Sequence, residues 1–121
     1  MINALVIDDN RLTADSLCQL LTLLEVSAQP AYGPRAAMMA LTERVPDIVF
    51  LDINMPGVSG FEVLAYLRRE PRYVDIPVVV VTADDDRATA KRAQKGGAIA
   101  VIIKPATFES LEDALHIAKL A

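Results

Sequence analysis

Apolar residues in this chain follow two alternating patterns along its length. Short continuous runs are typical of buried strands, and longer stretches with apolar positions every three or four residues are typical of amphipathic helices. The runs predict five strands, at 5–8, 26–31, 48–52, 78–82 and 101–104. The periodic stretches predict five helices, at 11–25, 34–44, 61–69, about 87–95, and from a Thr107 N-cap to the C-terminus.

Strict alternation of strands and helices predicts a parallel sheet covered by helices on both faces. The second strand differs from the others because it carries Ser27, Gln29 and Pro30. Proline is tolerated on edge strands and not on central ones, so this strand is predicted at an edge. The expected fold is therefore α/β, a doubly wound, flavodoxin-like sheet of five strands in the order 2-1-3-4-5 with five helices.

The four strands with continuous apolar runs each end on a polar group suited to phosphoryl transfer. The first ends at Asp8 and Asp9, and the later ones end at Asp52, Thr82 and Lys104. Because the carboxyl ends of parallel strands lie along one edge, these groups are expected to converge on one small site. The order 2-1-3-4-5 makes strands 1 and 3 neighbours and brings their three carboxylates together.

Three carboxylates so close together repel each other unless a cation joins them or one stays protonated. Mg²⁺ is the expected cation because it prefers hard oxygen ligands and is commonly held by carboxylates together with a phosphate. Lys104 and Thr82 would neutralise and hydrogen-bond the oxygens of a transferring phosphoryl group. Asp52 lies between the acids of strand 1 and Thr82, so it is the best candidate nucleophile.

Each of these residues also has an ordinary structural explanation. One of Asp8, Asp9 and Asn10 would be sufficient to cap the first helix, and Asp52 would suit an Asx-turn. Thr82 alone is a common strand end, and a lone lysine is a common surface residue. These separate explanations do not account for a compatible group at the end of every continuous apolar strand and its absence from strand 2.

The composition of the chain bears on its domain number, its binding partners and its cellular setting. The chain has 121 residues, 53% of them hydrophobic, which suits a single domain over 1–121 with its own core. A net charge of −4 argues against direct binding of nucleic acid. No apolar run reaches the roughly 20 residues of a membrane span, and the N-terminus lacks a basic region typical of signal peptides. The single cysteine, Cys18, suits a reducing, cytoplasmic setting and is expected to be a small buried residue. The single histidine, His116, is expected to be structural or exposed.

Four stretches of the chain form a recognisable set in their order and spacing: 6–10 (VIDDN), 46–60 (PDIVFLDINMPGVSG), 81–83 (VTA) and 103–105 (IKP). With this set, the chain resembles the receiver domain of two-component response regulators over essentially its whole length. The resemblance implies that Asp52 accepts a phosphoryl group from a phosphohistidine on a sensor kinase or histidine phosphotransfer protein. It implies that Asp9, Asp52 and the Asn54 main-chain carbonyl bind Mg²⁺, and that Asp8 holds a metal-bound water.

The same resemblance assigns the remaining site residues. Thr82 would bond the phosphoryl group once it forms, and Lys104 would form an ion pair with it. The bond between Lys104 and Pro105 is expected to be cis, and Gly60 has a structural role in the turn after strand 3. Asn54 and Asp84 occupy positions that tune the access of hydrolytic water.

One departure from the family pattern concerns output. An aromatic residue is common three positions before the lysine, whereas this chain has Val101, which has no ring to rotate; Ala106 likewise replaces a bulkier residue. Signal is therefore expected to pass through the Thr82 loop and helix 4 to a target protein or attached output domain, unless the domain is a phosphate relay or sink. The expected role is that of a signalling switch and not an enzyme acting on an external substrate.

Two rival interpretations remain at this stage. The first is a degenerate receiver that binds partners without phosphorylation, which the intact set of site residues disfavours. The second is a phosphatase of the haloacid dehalogenase type, which would require an Asp-x-Asp motif after strand 1. Asp8-Asp9-Asn10 is not that motif, and the chain has no cap domain.

Overall fold

The computed structural model describes residues 1–120 and contains one parallel sheet in the order β2-β1-β3-β4-β5. Its strands are β1 (Ile2–Ile7), β2 (Val26–Ala31), β3 (Ile48–Asp52), β4 (Val78–Thr82) and β5 (Ala100–Ile103). Its helices are α1 (Arg11–Leu23), α2 (Pro34–Glu43), α3 (Gly60–Arg69), α4 (Arg87–Lys95) and α5 (Phe108–Ile117). The predicted doubly wound fold and strand order are confirmed.

The helices cover both faces of the sheet, and each face has its own hydrophobic core. On one face, α1 and α5 pack with buried residues such as Leu17, Leu21 and Leu111. On the other face, α2, α3 and α4 pack against the opposite side chains of the same strands. β3 and β4 are buried at every position, which explains their continuous apolar sequences.

β2 lies at the edge of the sheet, as its polar residues predicted. It pairs with β1 alone, with Pro30 opposite Val6, and its burial alternates along its length. Pro30 has no N–H to donate, and an edge strand requires no second ladder of hydrogen bonds from its residues. β1 and β3 are consequently neighbours, with Ile7 opposite Leu51.

Several predicted boundaries were wrong by a few residues. α1 ends at Leu23 instead of Glu25, because Leu24 and Glu25 form a turn in which Glu25 has a φ of 64°. α2 ends one residue earlier than predicted, at Glu43, and α3 begins one residue earlier, at Gly60.

The remaining corrections concern the ends of the sheet and chain. β1 begins at Ile2, and β5 begins at Ala100. The last residue of β1 is Ile7, and β5 ends at Ile103, so the polar residues that follow lie just beyond the strands. α5 ends at Ile117, short of the C-terminus, and Ala121 lies outside the described residues.

Side-chain caps begin four of the helices at the edge of the sheet where the strands end. Each cap accepts a hydrogen bond from a main-chain N–H in the first turn of its helix, at Asn10, Ser59, Asp86 and Thr107. Such caps stabilise a helix start by roughly 1 kcal/mol each. They fix where the chain leaves each strand and therefore where the polar strand ends lie. Within residues 1–120, no helix has the length and apolar character needed to cross a membrane.

Candidate functional site at the carboxyl edge of the sheet

Three carboxylates meet where β1 and β3 end side by side. Asp8, Asp9 and Asp52 each offer one oxygen, and these oxygens lie within 4.8 Å of one another. Asp8 and Asp52 are both buried, each with 4% of its surface exposed, whereas Asp9 is exposed. Two buried acids of like charge are unfavourable unless positive charge or hydrogen bonds compensate them.

Lys104 supplies part of that compensation. Its Nζ lies 3.0 Å from Asp8 Oδ2 and 3.4 Å from Asp52 Oδ1. The lysine follows β5, two strands away from β3, and its main-chain N–H donates to the Thr82 carbonyl at 2.7 Å. That bond holds the end of β5 against β4, so the long side chain extends across the strand ends to the acids. The Lys104–Pro105 peptide bond is cis.

The electrostatic balance of the site is still negative, since three carboxylates face one ammonium group. Burial, followed by the nearby charge of Asp8, raises the pKa of Asp52 from 3.8 to about 6, against the opposing influence of Lys104 and of the Asn54 N–H. Asp52 is therefore ionised at neutral pH but has lost part of the solvation that an exposed carboxylate would have. A divalent cation would restore the balance, and oxygen ligands from carboxylates suit Mg²⁺.

The carboxylates open into a small cavity of about 220 Å³. It is lined by Asp8, Asp9, Asn10, Thr13, Asp52, Asn54, Ala83 and Lys104. This volume suits a small anion with its cation. The cavity is polar and lies outside the strand ends, at the point where strand order reverses, which is where open α/β sheets bind ligands.

The loop after β3 is held tightly against the end of that strand. The Asn54 N–H donates to Asp52 Oδ1 at 3.3 Å, while the exposed Asn54 side chain lines the cavity. The Gly60 N–H donates to the Ile53 carbonyl at 2.8 Å. A Cβ at position 60 would overlap the main-chain carbonyl of Asp52, so glycine is required here by the close approach of α3 to β3.

Thr82 is fully buried at the end of β4, and its hydroxyl is not part of the cavity lining. Its Oγ1 accepts the N–H of Asp84 at 3.1 Å. The Asp84 carboxylate also faces away from the acids, because it accepts hydrogen bonds from Thr89 and from the Asp86 N–H. Asp84 is therefore absent from the cavity wall, where Ala83 is present instead.

The other residues named in the sequence analysis lie away from this cavity. Val101 is partly buried on β5 and packs against the core on the side of α2, α3 and α4. Ala106 lines a separate, mainly apolar groove of about 430 Å³ between α1 and the loop after β5. Cys18 is half-buried, and burial followed by the charge of Asp15 raises the pKa of its thiol to about 11. His116 is exposed on α5.

Sequence reasoning missed two features of this region. Thr13 and Ala83 line the cavity; Thr13 belongs to no motif, and Ala83 lies in the VTA stretch at 81–83 but was given no role of its own. Thr89 bonds Asp84, although the two are five residues apart. The available signal was the position of Thr89 at the third residue of α4 after its Asp86 N-cap, since side chains there commonly bond the chain entering the helix.

The domain has a buried pair of aspartates, an exposed third and a facing lysine at the switch point of its sheet, which is the arrangement expected from the resemblance to receiver domains. Residues 4–116 match the family model described as the response regulator receiver domain, and the chain belongs to this family. Receiver domains are signalling switches and not classical enzymes.

The individual proteins that are similar to this chain include the following three. The chain is 32% identical to the polar-differentiation response regulator DivK of Brucella ovis over 106 residues, covering 85% of this chain and 84% of DivK. It is similar in structure to the chemotaxis protein CheY4 of Vibrio cholerae, with a TM-score of 0.88, 23% identity and coverage of 96% and 97% of the two chains, a likeness that concerns the fold alone. It also resembles a response regulator protein from Burkholderia pseudomallei that was crystallised with a phosphorylated aspartic acid, a calcium ion and citrate. That match has a TM-score of 0.85 and 28% identity, and covers 99% of this chain and 71% of the other.

Proposed function

We propose that Asp52 is a phosphoacceptor that takes a phosphoryl group from a phosphohistidine of a sensor kinase or histidine phosphotransfer protein. The observation that carries this proposal is the position of Asp52, a buried carboxylate that opens into a small polar cavity and faces Lys104 at 3.4 Å. The phosphorylated aspartic acid of the Burkholderia response regulator supports the same chemistry in a related protein.

Asp52 carries out the attack through one oxygen of its carboxylate. Its Oδ1 is held by the Asn54 N–H and by Lys104, so we assign the attack to Oδ2. The new P–O bond forms as the N–P bond of the phosphohistidine breaks, and the electron pair leaves with the imidazole nitrogen, which takes a proton from water. The hydrogen bond from Asn54 and the ion pair with Lys104 fix the carboxylate in one orientation, so the reaction depends mainly on positioning and electrostatics.

The acids are well suited to hold Mg²⁺, with Asp9, Asp52 and the Asn54 carbonyl as direct ligands and Asp8 through a water. Three carboxylate charges facing a single ammonium group leave room for two positive charges, which is the charge of this ion. When bound, Mg²⁺ would neutralise phosphoryl oxygens during transfer. Lys104, already within 3.4 Å of Asp52, would exchange its contact with Oδ1 for a contact with the new phosphoryl group.

Phosphorylation would act on the loop between β4 and α4 through Thr82. α4 has one buried residue, Ala93, so little apolar area holds it in place. Val101 lacks the ring that would carry a signal along β5, which favours output through this loop and α4 to a target protein or attached domain. Asn54, exposed at the cavity, would influence the access of hydrolytic water to the phosphorylated aspartate. A cytoplasmic location fits this role.

The decisive experiment is the intact mass of the protein after incubation with a small acyl phosphate, with and without Mg²⁺. We expect one phosphoryl adduct that requires Mg²⁺ and is lost in Asp52→Asn. Asp113→Asn, which removes an exposed acid of α5, is the matched control and should retain the adduct. Failure of the wild type to form an adduct or to bind Mg²⁺ would contradict the proposal and favour a module that binds partners without phosphorylation.

A further inference from the structure

The loop between β4 and α4 carries a chain of hydrogen bonds that links Thr82 to the first turn of α4. The Asp84 N–H donates to Thr82 Oγ1 at 3.1 Å, and the Thr89 hydroxyl donates to Asp84 Oδ2 at 2.6 Å. The second carboxylate oxygen, Asp84 Oδ1, accepts the Asp86 N–H at 2.9 Å. We refer to these three bonds, made by Thr82, Asp84, Asp86 and Thr89, as the Asp84 latch.

The Asp84 latch holds the Thr82 hydroxyl outside the site. Thr82 is fully buried, and the cavity beside Asp52 is lined by Ala83 and not by Thr82 or Asp84. A Thr82 hydroxyl that turns to a phosphoryl group on Asp52 therefore leaves the Asp84 N–H without its partner. Because one oxygen of the Asp84 carboxylate is bonded to Thr89 of α4 and the other to the N–H of its N-cap, Asp86, the Asp84 main chain is not free to follow.

Few other contacts hold α4 in place, so the Asp84 latch has a large share in fixing the position of its first turn. Ala93 is the buried residue of this helix, and the Arg92 guanidinium lies over the Phe61 ring at 3.9 Å from its centroid. Both contacts lie at the carboxyl half of the helix, far from its first turn. The first turn is held to the loop mainly by Asp86 as its N-cap and by the bond from Thr89 to Asp84.

We propose that Asp84 and Thr89 are positioning residues that keep the Thr82 hydroxyl turned away from the phosphoacceptor until a phosphoryl group forms there. This inference rests on the proposed role of Asp52. In this role Asp84 acts on the equilibrium of the loop. A phosphoryl group must compete with the latch for the Thr82 hydroxyl, so the latch lowers the apparent affinity of the domain for its own phosphorylated state.

The latch remains closed at neutral pH in the unphosphorylated protein. The bond from Thr89, followed by the bond from the Asp86 N–H, lowers the pKa of Asp84, so its carboxylate is ionised and accepts both bonds. Removal of the Thr89 hydroxyl leaves one of these bonds and opens the latch in part. Removal of the Asp84 carboxylate leaves neither.

The test measures binding of trifluoroberyllate with Mg²⁺, a mimic of the phosphoryl group, by titration calorimetry. Thr89→Val removes the hydroxyl at nearly constant shape and helix propensity, and we expect it to tighten binding by about fivefold, the effect of losing one net hydrogen bond. Thr89→Ser keeps the hydroxyl and should restore wild-type affinity. Asp84→Ala should tighten binding at least as much as Thr89→Val, whereas Asp85→Ala, which removes the neighbouring exposed charge, should not.

A second measurement separates this inference from the proposed function. Amide hydrogen exchange over residues 83–90 of the unliganded protein should be faster in Thr89→Val and Asp84→Ala than in wild type or Asp85→Ala. This result needs no phosphorylation, so it would support the latch even if wild-type protein bound no trifluoroberyllate, an outcome that would contradict the role of Asp52 alone. Unchanged exchange and affinity in Thr89→Val would overturn the latch. It would also be overturned if Asp84→Ala altered only the rate at which a phosphoryl adduct is lost, because Asp84 would then act on water.

Discussion

Replacing Asp52 with asparagine should stabilise the metal-free protein at neutral pH, although it removes the residue on which the proposed function depends. Asp52 is buried beside Asp8, and its pKa in the folded protein is raised from 3.8 to about 6. The folded protein therefore binds the Asp52 proton more tightly than the unfolded chain does. Consequently, the contribution of this residue to stability falls as the pH rises from about 4 to about 6, and the loss is complete at pH 7.

The size of the effect follows from the pKa values. Each tenfold change in the ionisation constant corresponds to about 1.4 kcal/mol. Without screening, a pKa rise from 3.8 to about 6 would therefore lower the free energy of unfolding at pH 7 by about 3 kcal/mol. Asp9 is exposed at the same site, and solvent screening reduces the effect, so we expect about 1–2 kcal/mol. Asparagine has the same shape as aspartate and can still accept the Asn54 N–H, and Lys104 keeps its partner Asp8.

Chemical denaturation of wild type and Asp52→Asn at pH 4, 5, 6, 7 and 8 in a chelator measures this difference. The two proteins should be similar in stability near pH 4 and diverge up to about pH 6, with Asp52→Asn more stable at pH 7. Asp113→Asn should follow the wild type, because that acid is exposed on α5. An Asp52→Asn protein no more stable than wild type at pH 7, or a difference independent of pH, would refute the electrostatic reasoning.

Three further predictions follow from the same geometry. Mg²⁺ should raise the melting temperature of the wild type, and Asp52→Asn should reduce that rise, because one ligand charge is lost. Lys104→Met should destabilise the metal-free protein by about 2 kcal/mol in denaturant titrations at pH 7, because it leaves the buried acids unpaired, and equal stability would contradict this. Ser59→Ala removes the N-cap of α3 and should lower the free energy of unfolding, measured in urea, by about 1 kcal/mol. Gly60→Ala should lower it by more, because a Cβ at position 60 would overlap the end of β3.

Local sequence was sufficient to predict the fold because its information lies in short-range patterns. Fully buried strands such as Val78–Thr82 need apolar residues on both faces, and this requirement leaves a continuous run. Pro30 placed β2 at the edge, since proline has no N–H for a second ladder. The boundaries were predicted less well, because the ends of α1 and α5 depend on residues such as Glu25 and Lys119 that adopt a positive φ without being glycine.

The sequence by itself also determined which groups meet at the carboxyl edge, because strand order and parallel pairing bring strand ends together whatever the side chains do. Only the tertiary structure decided which of these groups contact one another and at what distance. Lys104 lies closer to Asp8 than to Asp52, and the Asp84 carboxylate faces α4 and does not line the cavity. Side-chain direction depends on partners distant in sequence and on the balance of burial against charge, and neither is encoded in the local pattern of apolar and polar residues.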